Sequence, residues 1–266
     1  MKQGKKPRRS SRLGLLAATV ACALMTVGPV SAETSASSDR EVRSSKERDK
    51  SYSHRRASRG GTGKFYMGRE ISLFLTYHGI PWLEREDRFE TEKPDLVIEA
   101  LELSPTDVVA DVGAGSGYFT FRLGPKVPQG KVLAVDIQKE MLAAIEQRRD
   151  ASGMSQVVPI LGTETDPGLP PSAVDIVLMV DVYHELSHPK EMMAGILQSL
   201  KPDGQLVLVE YRGEDRFSSI HPLHKMTQKQ IKKEMKAAGL SHVKTLDFLP
   251  EQHVMFFQRA SAGGSR

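Results

Sequence analysis

The sequence predicts an α/β domain built on a mostly parallel sheet with helices on both faces. Three observations carry this. A β-branched run ends in an acidic residue and a glycine turn, VVADVGAGSGYFT, from Val108 to Thr120. Further apolar runs of strand length recur downstream, separated by stretches of helical periodicity, and that alternation produces parallel strands joined by crossover helices. Turn residues mark the breaks, at Pro128-Gln129-Gly130 and Lys201-Pro202-Asp203-Gly204.

Taken in order, the patterns predict strands at about 107–112, 131–136, 156–161, 174–181 and 205–211, with helices between them. A helix over about 227–238 starts at a capping box, Thr227 with Gln230, and stops at Gly239. Two more apolar runs, at about 242–248 and 253–258, are joined by Leu249-Pro250-Glu251. The total is seven strands with a closing hairpin. Ahead of the sheet, Ile71, Phe74 and Leu75 share one side of an expected helix over about 67–77, and Thr91 is the expected N-cap of a second over about 91–101. Residues 65–104 thus read as an N-terminal helical cap on a domain covering residues 65–260. Tyr77, His78 and Trp82 are either packing residues of that cap or part of a lid over the site.

The first residues stand apart. Of 266 residues, 39% are hydrophobic, and the formal net charge is +4. Six of the 37 bases fall in residues 1–32 with no acid, so the remaining 31 face 33 acids, a net charge of −2. From Phe65 onward, 22 bases face 28 acids, a net charge of −6. An acidic domain is a poor nucleic-acid footprint, so no nucleic-acid partner is expected. The basic start from Lys2 to Arg12, the apolar run Leu13 to Val30 and the small residues Val30-Ser31-Ala32 form a signal peptide over residues 1–32. Export to the periplasm or beyond is the expectation, with a membrane anchor by the uncleaved leader as the alternative and no stable span in the mature form. The single cysteine, Cys22, lies in the leader, so the mature chain forms no disulfide. Residues 33–64 are rich in Ser, Arg, Lys and Glu and read as a disordered linker.

The function is argued from the glycine turn. Gly113, Gly115 and Gly117 let the backbone take positive φ and let a ligand approach the main chain closely. The dinucleotide fingerprint G-x-G-x-x-G places its third glycine one residue later, where this sequence has Tyr118. Asp111, just before the turn, would repel a pyrophosphate but can accept a hydrogen bond from a ligand ammonium group. A nucleoside without phosphates fits better. A second carboxylate, Asp136, ends the second strand 19 residues after Gly117, where it can accept both ribose hydroxyls.

At these residues the sequence resembles the class I S-adenosylmethionine-dependent methyltransferases, whose first motif is an acidic residue followed by G-x-G-x-G. The resemblance implies a Rossmann-like seven-stranded sheet with an antiparallel C-terminal strand, and S-adenosyl-L-methionine as cofactor. It also implies that Asp111, Gly113, Gly115 and Gly117 line the cofactor, that Asp136 holds the ribose and that Ile137 packs on adenine. The third strand ends at Leu161-Gly162-Thr163-Glu164-Thr165-Asp166, where the family usually has an acid near the adenine amino group. Thr163 stands in that register, with Glu164 or Asp166 as the acid. Asp181, at the tip of the fourth strand, lines the path from the sulfonium methyl to the acceptor. Segments such as TYHGIPWLER, Glu210-Tyr211-Arg212 and His221-Pro222-Leu223-His224-Lys225-Met226 further resemble a largely uncharacterised bacterial group of exported type within that family.

Methyl transfer is a direct displacement that needs alignment and a dry pocket, and a base only where the acceptor must lose a proton. His184 is the candidate base, beside Asp181 at the catalytic strand tip, with Glu185, Tyr211 and His224 as further candidates. A structural histidine at the strand end is the competing reading for His184, and Tyr183 is either an acceptor contact or core. The acceptor is expected to be a small molecule.

His184-Glu185-Leu186-Ser187-His188 also matches the zinc signature H-E-x-x-H. Pro189 immediately after it places the histidines across a loop and a helix start instead of on one helix face, so no metal is expected. The alternatives to a methyltransferase are a nucleoside-binding protein without chemistry, that zinc hydrolase, and a nicotinamide-dependent oxidoreductase.

Overall fold

The computed structural model describes residues 51–260. The expected leader, Cys22 and the linker up to residue 50 lie outside them. The remainder of the expected linker is ordered into strands. A small antiparallel sheet is formed by β1 (Tyr52–His54), β2 (Gly61–Tyr66) and β3 (Arg69–Ser72). This also replaces the helix expected over 67–77. Met67 and Gly68, both at positive φ (47° and 103°), form a two-residue turn that pairs Tyr66 with Arg69. That handedness matches the twist of a hairpin and excludes a helix. Tyr66, Ile71 and Ser72 are buried.

Three short helices follow, α1 (Ile80–Leu83), α2 (Arg88–Glu92) and α3 (Pro94–Ala100). Thr91 is not an N-cap. It lies inside α2, its hydroxyl donating to the Asp87 carbonyl, and Lys93 at φ 44° separates α2 from α3. Pro94 then starts α3, where its missing N–H costs nothing.

The main sheet and its helices run β4 (Val108–Val112), α4 (Thr120–Leu123), β5 (Lys131–Asp136), α5 (Lys139–Ser152), β6 (Val157–Leu161), β7 (Val174–Val180), α6 (Pro189–Ser199), β8 (Leu200–Arg212), β9 (Lys225–Met226), α7 (Gln228–Ala237), β10 (Leu240–Leu246) and β11 (Gln252–Arg259). Its strand order is β10-β11-β8-β7-β4-β5-β6, with β9 paired to β8. From β6 across to β8 the strands are parallel, and β11 is antiparallel to both neighbours, as expected for the last strand. No helix joins β6 to β7, because residues 162–173 contain Pro167, Pro170 and Pro171. The Lys201–Gly204 turn falls inside β8 as a bulge, between the Leu200 pairing with Val174 and the Gln205 pairing with Ile176.

Period-two alternation divides the apolar side chains into two cores, one on each sheet face. Val109, Val132, Ile176, Val207 and Phe256 pack with α3, α4 and α5, while Ala110, Leu133, Val177, Leu206 and Phe257 pack with α6 and α7. Each such Val, Leu, Ile or Phe side chain contributes about 1.5–3 kcal/mol by leaving water. In α7 the Thr227 hydroxyl accepts from the Gln230 N–H, while the Gln230 amide turns to Glu234 instead of closing the box. Among the described residues no helix is long and apolar enough to cross a membrane. Strand order reverses between β4 and β7, and the crevice at the carboxyl ends of those two strands is where an open α/β sheet takes its ligand.

Candidate active site

A cleft of about 520 Å³ opens at that reversal. Asp111, Gly113, Gly115, Asp136, Ile137, Thr163, Glu164 and Asp181 all line it, so the structure gathers most of the expected cofactor residues around one space. Gly113 (φ 75°) and Gly115 (φ 56°) hold the left-handed conformations that glycine tolerates, and a Cβ at Gly115 would meet Leu83 at 2.8 Å. Gly117 departs from expectation. It does not line the cleft, and a Cβ there would meet Phe121 of α4 and Ile145 of α5, so its role is to let those two helices pack against the turn.

Asp136 braces the turn. Its two carboxylate oxygens accept from the N–H groups of Gly115 and Gln138, both at 2.9 Å, leaving further lone pairs for a ribose. Ile137, 39% exposed and beside it, offers an apolar face to a flat ring. Of the two acids after β6, Glu164 lines the cleft, whereas Asp166 accepts from the Gly168 N–H and stays out. The Thr163 hydroxyl is taken up by the same turn, accepting from the Asp166 N–H.

Asp111 is buried and accepts from the Thr120 hydroxyl at 2.6 Å. Burial lifts its pKa to about 6. A ligand ammonium beside it would favour the charged form, so binding of S-adenosylhomocysteine at pH 6 is expected to release a fraction of a proton. Calorimetry in two buffers of different ionisation enthalpy checks this, and equal heats in both would exclude Asp111 as the partner.

Asp181 carries the clearest sign that the cleft is built to take a ligand. It sits at φ 53°, one Oδ accepts from the Gln252 amide at 2.7 Å, and the other is buried with no hydrogen-bond partner among the described residues. Burial, then the Glu92 and Glu210 carboxylates, push its pKa well above the usual range. Buried polar atoms are seldom left unpaired, so an orphaned oxygen at the cleft wall fits a ligand that supplies the missing group.

The acceptor side differs from expectation in several places. Trp82, Tyr211 and His224 line the cleft; Tyr77, His78 and Tyr183 do not. The Tyr77 backbone N–H donates to Gln138 at the exposed surface. Tyr183 is fully buried, with its hydroxyl donating to Glu234 at 2.8 Å, which settles it as core. The cap reaches the site through residues the sequence did not single out. Ser116 of the glycine turn donates to Glu84, Arg85 and Arg88 both pair with Glu92 (2.6 and 2.8 Å), and the Arg85 guanidinium lies 4.0 Å over the Trp82 ring. The i,i+4 spacing of Arg88 and Glu92 was the available signal.

His184 is 2% exposed and both ring nitrogens are engaged. Nδ1 lies 2.7 Å from a Glu210 carboxylate oxygen, and Nε2 lies 2.9 Å from Nδ1 of His224. The other Glu210 oxygen accepts from the Tyr183 N–H. Burial disfavours charge on His184, but Glu210 outweighs it and its pKa rises; burial, with His184 and His221, lowers His224 to about 4. Glu185 is raised by burial to about 7.

The zinc signature does not form a zinc site. Tyr183–Glu185 is a 3-10 turn, His188 is the N-cap of α6, and its Nδ1 faces Ser187 and Glu164. Among the described residues, His184, Glu185 and His224 are the group whose ligand atoms converge, all within 4.8 Å of one another.

Comparison with known proteins finds methyltransferases. A family described as methyltransferase domain matches residues 110–206. A tRNA U34 carboxymethyltransferase of Desulfotalea psychrophila is 30% identical over 122 residues, 46% of this chain and 35% of that protein. A malonyl-[acyl-carrier protein] O-methyltransferase of Halalkalibacterium halodurans is 31% identical over 126 residues, 46% of this chain and 45% of that protein. The chain therefore spans less than half the length of either relative. A crystal structure of a SAM-dependent methyltransferase from Aquifex aeolicus superposes with a TM-score of 0.65 at 24% identity, covering 69% of this chain and 98% of that one, a likeness of fold.

Proposed function

Since the chain belongs to the class I S-adenosylmethionine-dependent methyltransferases, with S-adenosylmethionine as cofactor, we propose that it transfers the methyl group to a small-molecule acceptor bound in the same cleft. The observation that carries this is the joint presence of the Asp136-braced glycine turn and the unpartnered Asp181 oxygen on facing strand tips. S-adenosylmethionine supplies a methyl group activated by its sulfonium charge.

The residues present suit that group. Asp136 and Ile137 would hold ribose and adenine, the bare backbone at Gly113 and Gly115 admits the chain next to the strand tip, Asp111 would supply negative charge for the ammonium, and the free Asp181 oxygen would be drawn into its charged form by a cation beside it. Beyond Asp181, the cleft wall is completed by Phe74, Leu75, Trp82 and Leu83 from the cap. Phe74, Leu75 and Trp82 are each at least 40% exposed, so an acceptor seated against them would cover apolar surface, displace water and be aligned, which is most of what a displacement needs. A small acceptor is favoured over RNA by the net charge of −6 from residue 65 onward and by a cleft roofed by the cap. Incubation of the full chain with tritiated methyl S-adenosylmethionine tests the reading. Label is expected in low-molecular-weight acceptors from a broad panel; binding of S-adenosylhomocysteine with no transfer to any acceptor would leave a nucleoside-binding protein, and label in RNA alone would reverse the choice of acceptor.

A further inference from the structure

Resting on that reading, we propose that Glu210, His184 and His224 form a proton relay whose outer member, His224, takes the proton of a phenol-like hydroxyl acceptor in the cleft. Each link is fixed by what its neighbour can do. A carboxylate only accepts, and Glu210 already accepts from the Tyr183 N–H through its other oxygen, so at its 2.7 Å contact Nδ1 of His184 is the donor. Neutral His184 then carries a lone pair on Nε2. His224 must donate to it from Nδ1, at 2.9 Å. The Nε2 atom of His224 is thereby left unprotonated, on a side chain that lines the cleft. A neutral histidine held in this tautomer is a base, not a donor.

The relay also explains where the proton goes. As the acceptor oxygen bonds to the methyl carbon, the C–S bond breaks with its electron pair kept by sulfur, and the hydroxyl proton passes to Nε2 of His224. The Nδ1 proton of His224 moves to Nε2 of His184, giving an imidazolium against the Glu210 carboxylate. Products are the methyl ether and S-adenosylhomocysteine, and the stored proton later leaves to solvent by the reverse path. The ordering of the two rings agrees, since His184 holds a proton better than usual and His224 worse.

The acceptor class follows from acidity. A phenolic proton, pKa about 10, lies about 3.5 units above an ordinary imidazole at about 6.5. An aliphatic hydroxyl, close to water at about 15.7, lies about 9 units above it. Imidazole can assist the first and has little to offer the second. The apolar wall of Phe74, Leu75, Trp82 and Leu83 suits an aromatic ring. Other charged groups face the pair. Glu185 and Arg69 act on His184, and His221 acts on His224, so the proton is lost with an apparent pKa that belongs to the pair.

Nitrogen-15 NMR of the histidine rings, in the full chain loaded with S-adenosylhomocysteine, tests the relay without any acceptor. At high pH both His184 and His224 are expected as the Nδ1–H tautomer, and on acidification the first proton should appear on Nε2 of His184. In Glu210→Gln, the amide N–H₂ faces Nδ1 of His184, so both rings should change to Nε2–H. With a panel of phenols, matched aliphatic alcohols and amines, transfer is expected to phenols. It should rise with pH through the apparent pKa of the pair and fall about 10²–10⁴-fold in kcat in Glu210→Gln, with S-adenosylhomocysteine affinity within two-fold. His224→Asn, at a partly exposed position, serves if the buried variant fails to fold, and should show the same loss. An Nε2–H tautomer of His224 in the wild type, transfer confined to amines, or one equivalent of zinc held by wild type and lost in His224→Asn would each overturn the relay. Retained S-adenosylhomocysteine binding in those cases would leave the cofactor assignment standing.

Discussion

Asp136→Ala is expected to weaken S-adenosylhomocysteine binding by roughly 10²-fold, read by calorimetric titration. Hydrogen bonds to a charged group contribute about 1.5–3 kcal/mol each, and on the proposed reading two ribose hydroxyls would meet this one carboxylate. Non-additivity trims the sum to about 3 kcal/mol, which is two decades in affinity. A further loss comes from the protein itself, because Asp136 accepts from Gly115 and Gln138 and so holds the turn in its binding shape. Asp136→Asn separates the two effects. It keeps a carbonyl oxygen for one of the two N–H groups but loses the charge, and should fall between wild type and alanine. Affinity within two-fold of wild type in Asp136→Ala would mean that the nucleoside is seated elsewhere.

The largest effect on stability is expected at Arg69, in the N-terminal hairpin. Its guanidinium pairs with Glu234 of α7 through two contacts, at 2.8 and 3.1 Å, and a third N–H donates to the His184 carbonyl at 2.8 Å. Glu234 is fully buried, and among the described residues its donors besides Arg69 are neutral, the Tyr183 hydroxyl and the Gln230 amide. Removing one partner of a buried pair strands the other charge, at a cost of about 3–5 kcal/mol. For a domain of this size each kcal/mol corresponds to about 2–4 °C, so Arg69→Met should melt about 10 °C lower. The double variant Arg69→Met with Glu234→Met should recover much of this, because no stranded carboxylate remains. A change below about 1 kcal/mol in the single variant would show that water reaches Glu234 and that the hairpin does not anchor the segment bearing His184.

These two positions mark the boundary of what was readable in the sequence. Asp136 stands out because its signal is local. A buried strand ending in a carboxylate, at a fixed spacing after a glycine turn, has one common use. Arg69 and Glu234 are 165 residues apart, and each looks like an ordinary surface charge on its own element. The hairpin was hidden for a related reason. Ile71, Phe74 and Leu75 have helical spacing, and only the Met67-Gly68 turn, at positive φ, overrides it. In the site, Asp111, Asp181 and the glycines were visible at or just after strand ends and His224 as a residue type in the His221–Met226 segment, but the roles of Tyr183 and His184 were not. Tyr183 turns into the core because Glu234 waits there, and His184, although it lines the cleft, is tied down because Glu210, 26 residues on, sets a carboxylate against its Nδ1.

By itself the sequence determined the strand order's raw material, the two-faced sheet and the phosphate-free nucleoside site, since periodicity and turn chemistry act between near neighbours. Tertiary structure alone decided which polar groups meet: the clamp of Arg69 on Glu234, the brace of Glu84 on Ser116 and the chain from Glu210 through His184 to His224. Buried charges and ring nitrogens are positioned by partners that only folding brings within reach, and one pattern of residue types is compatible with many such pairings.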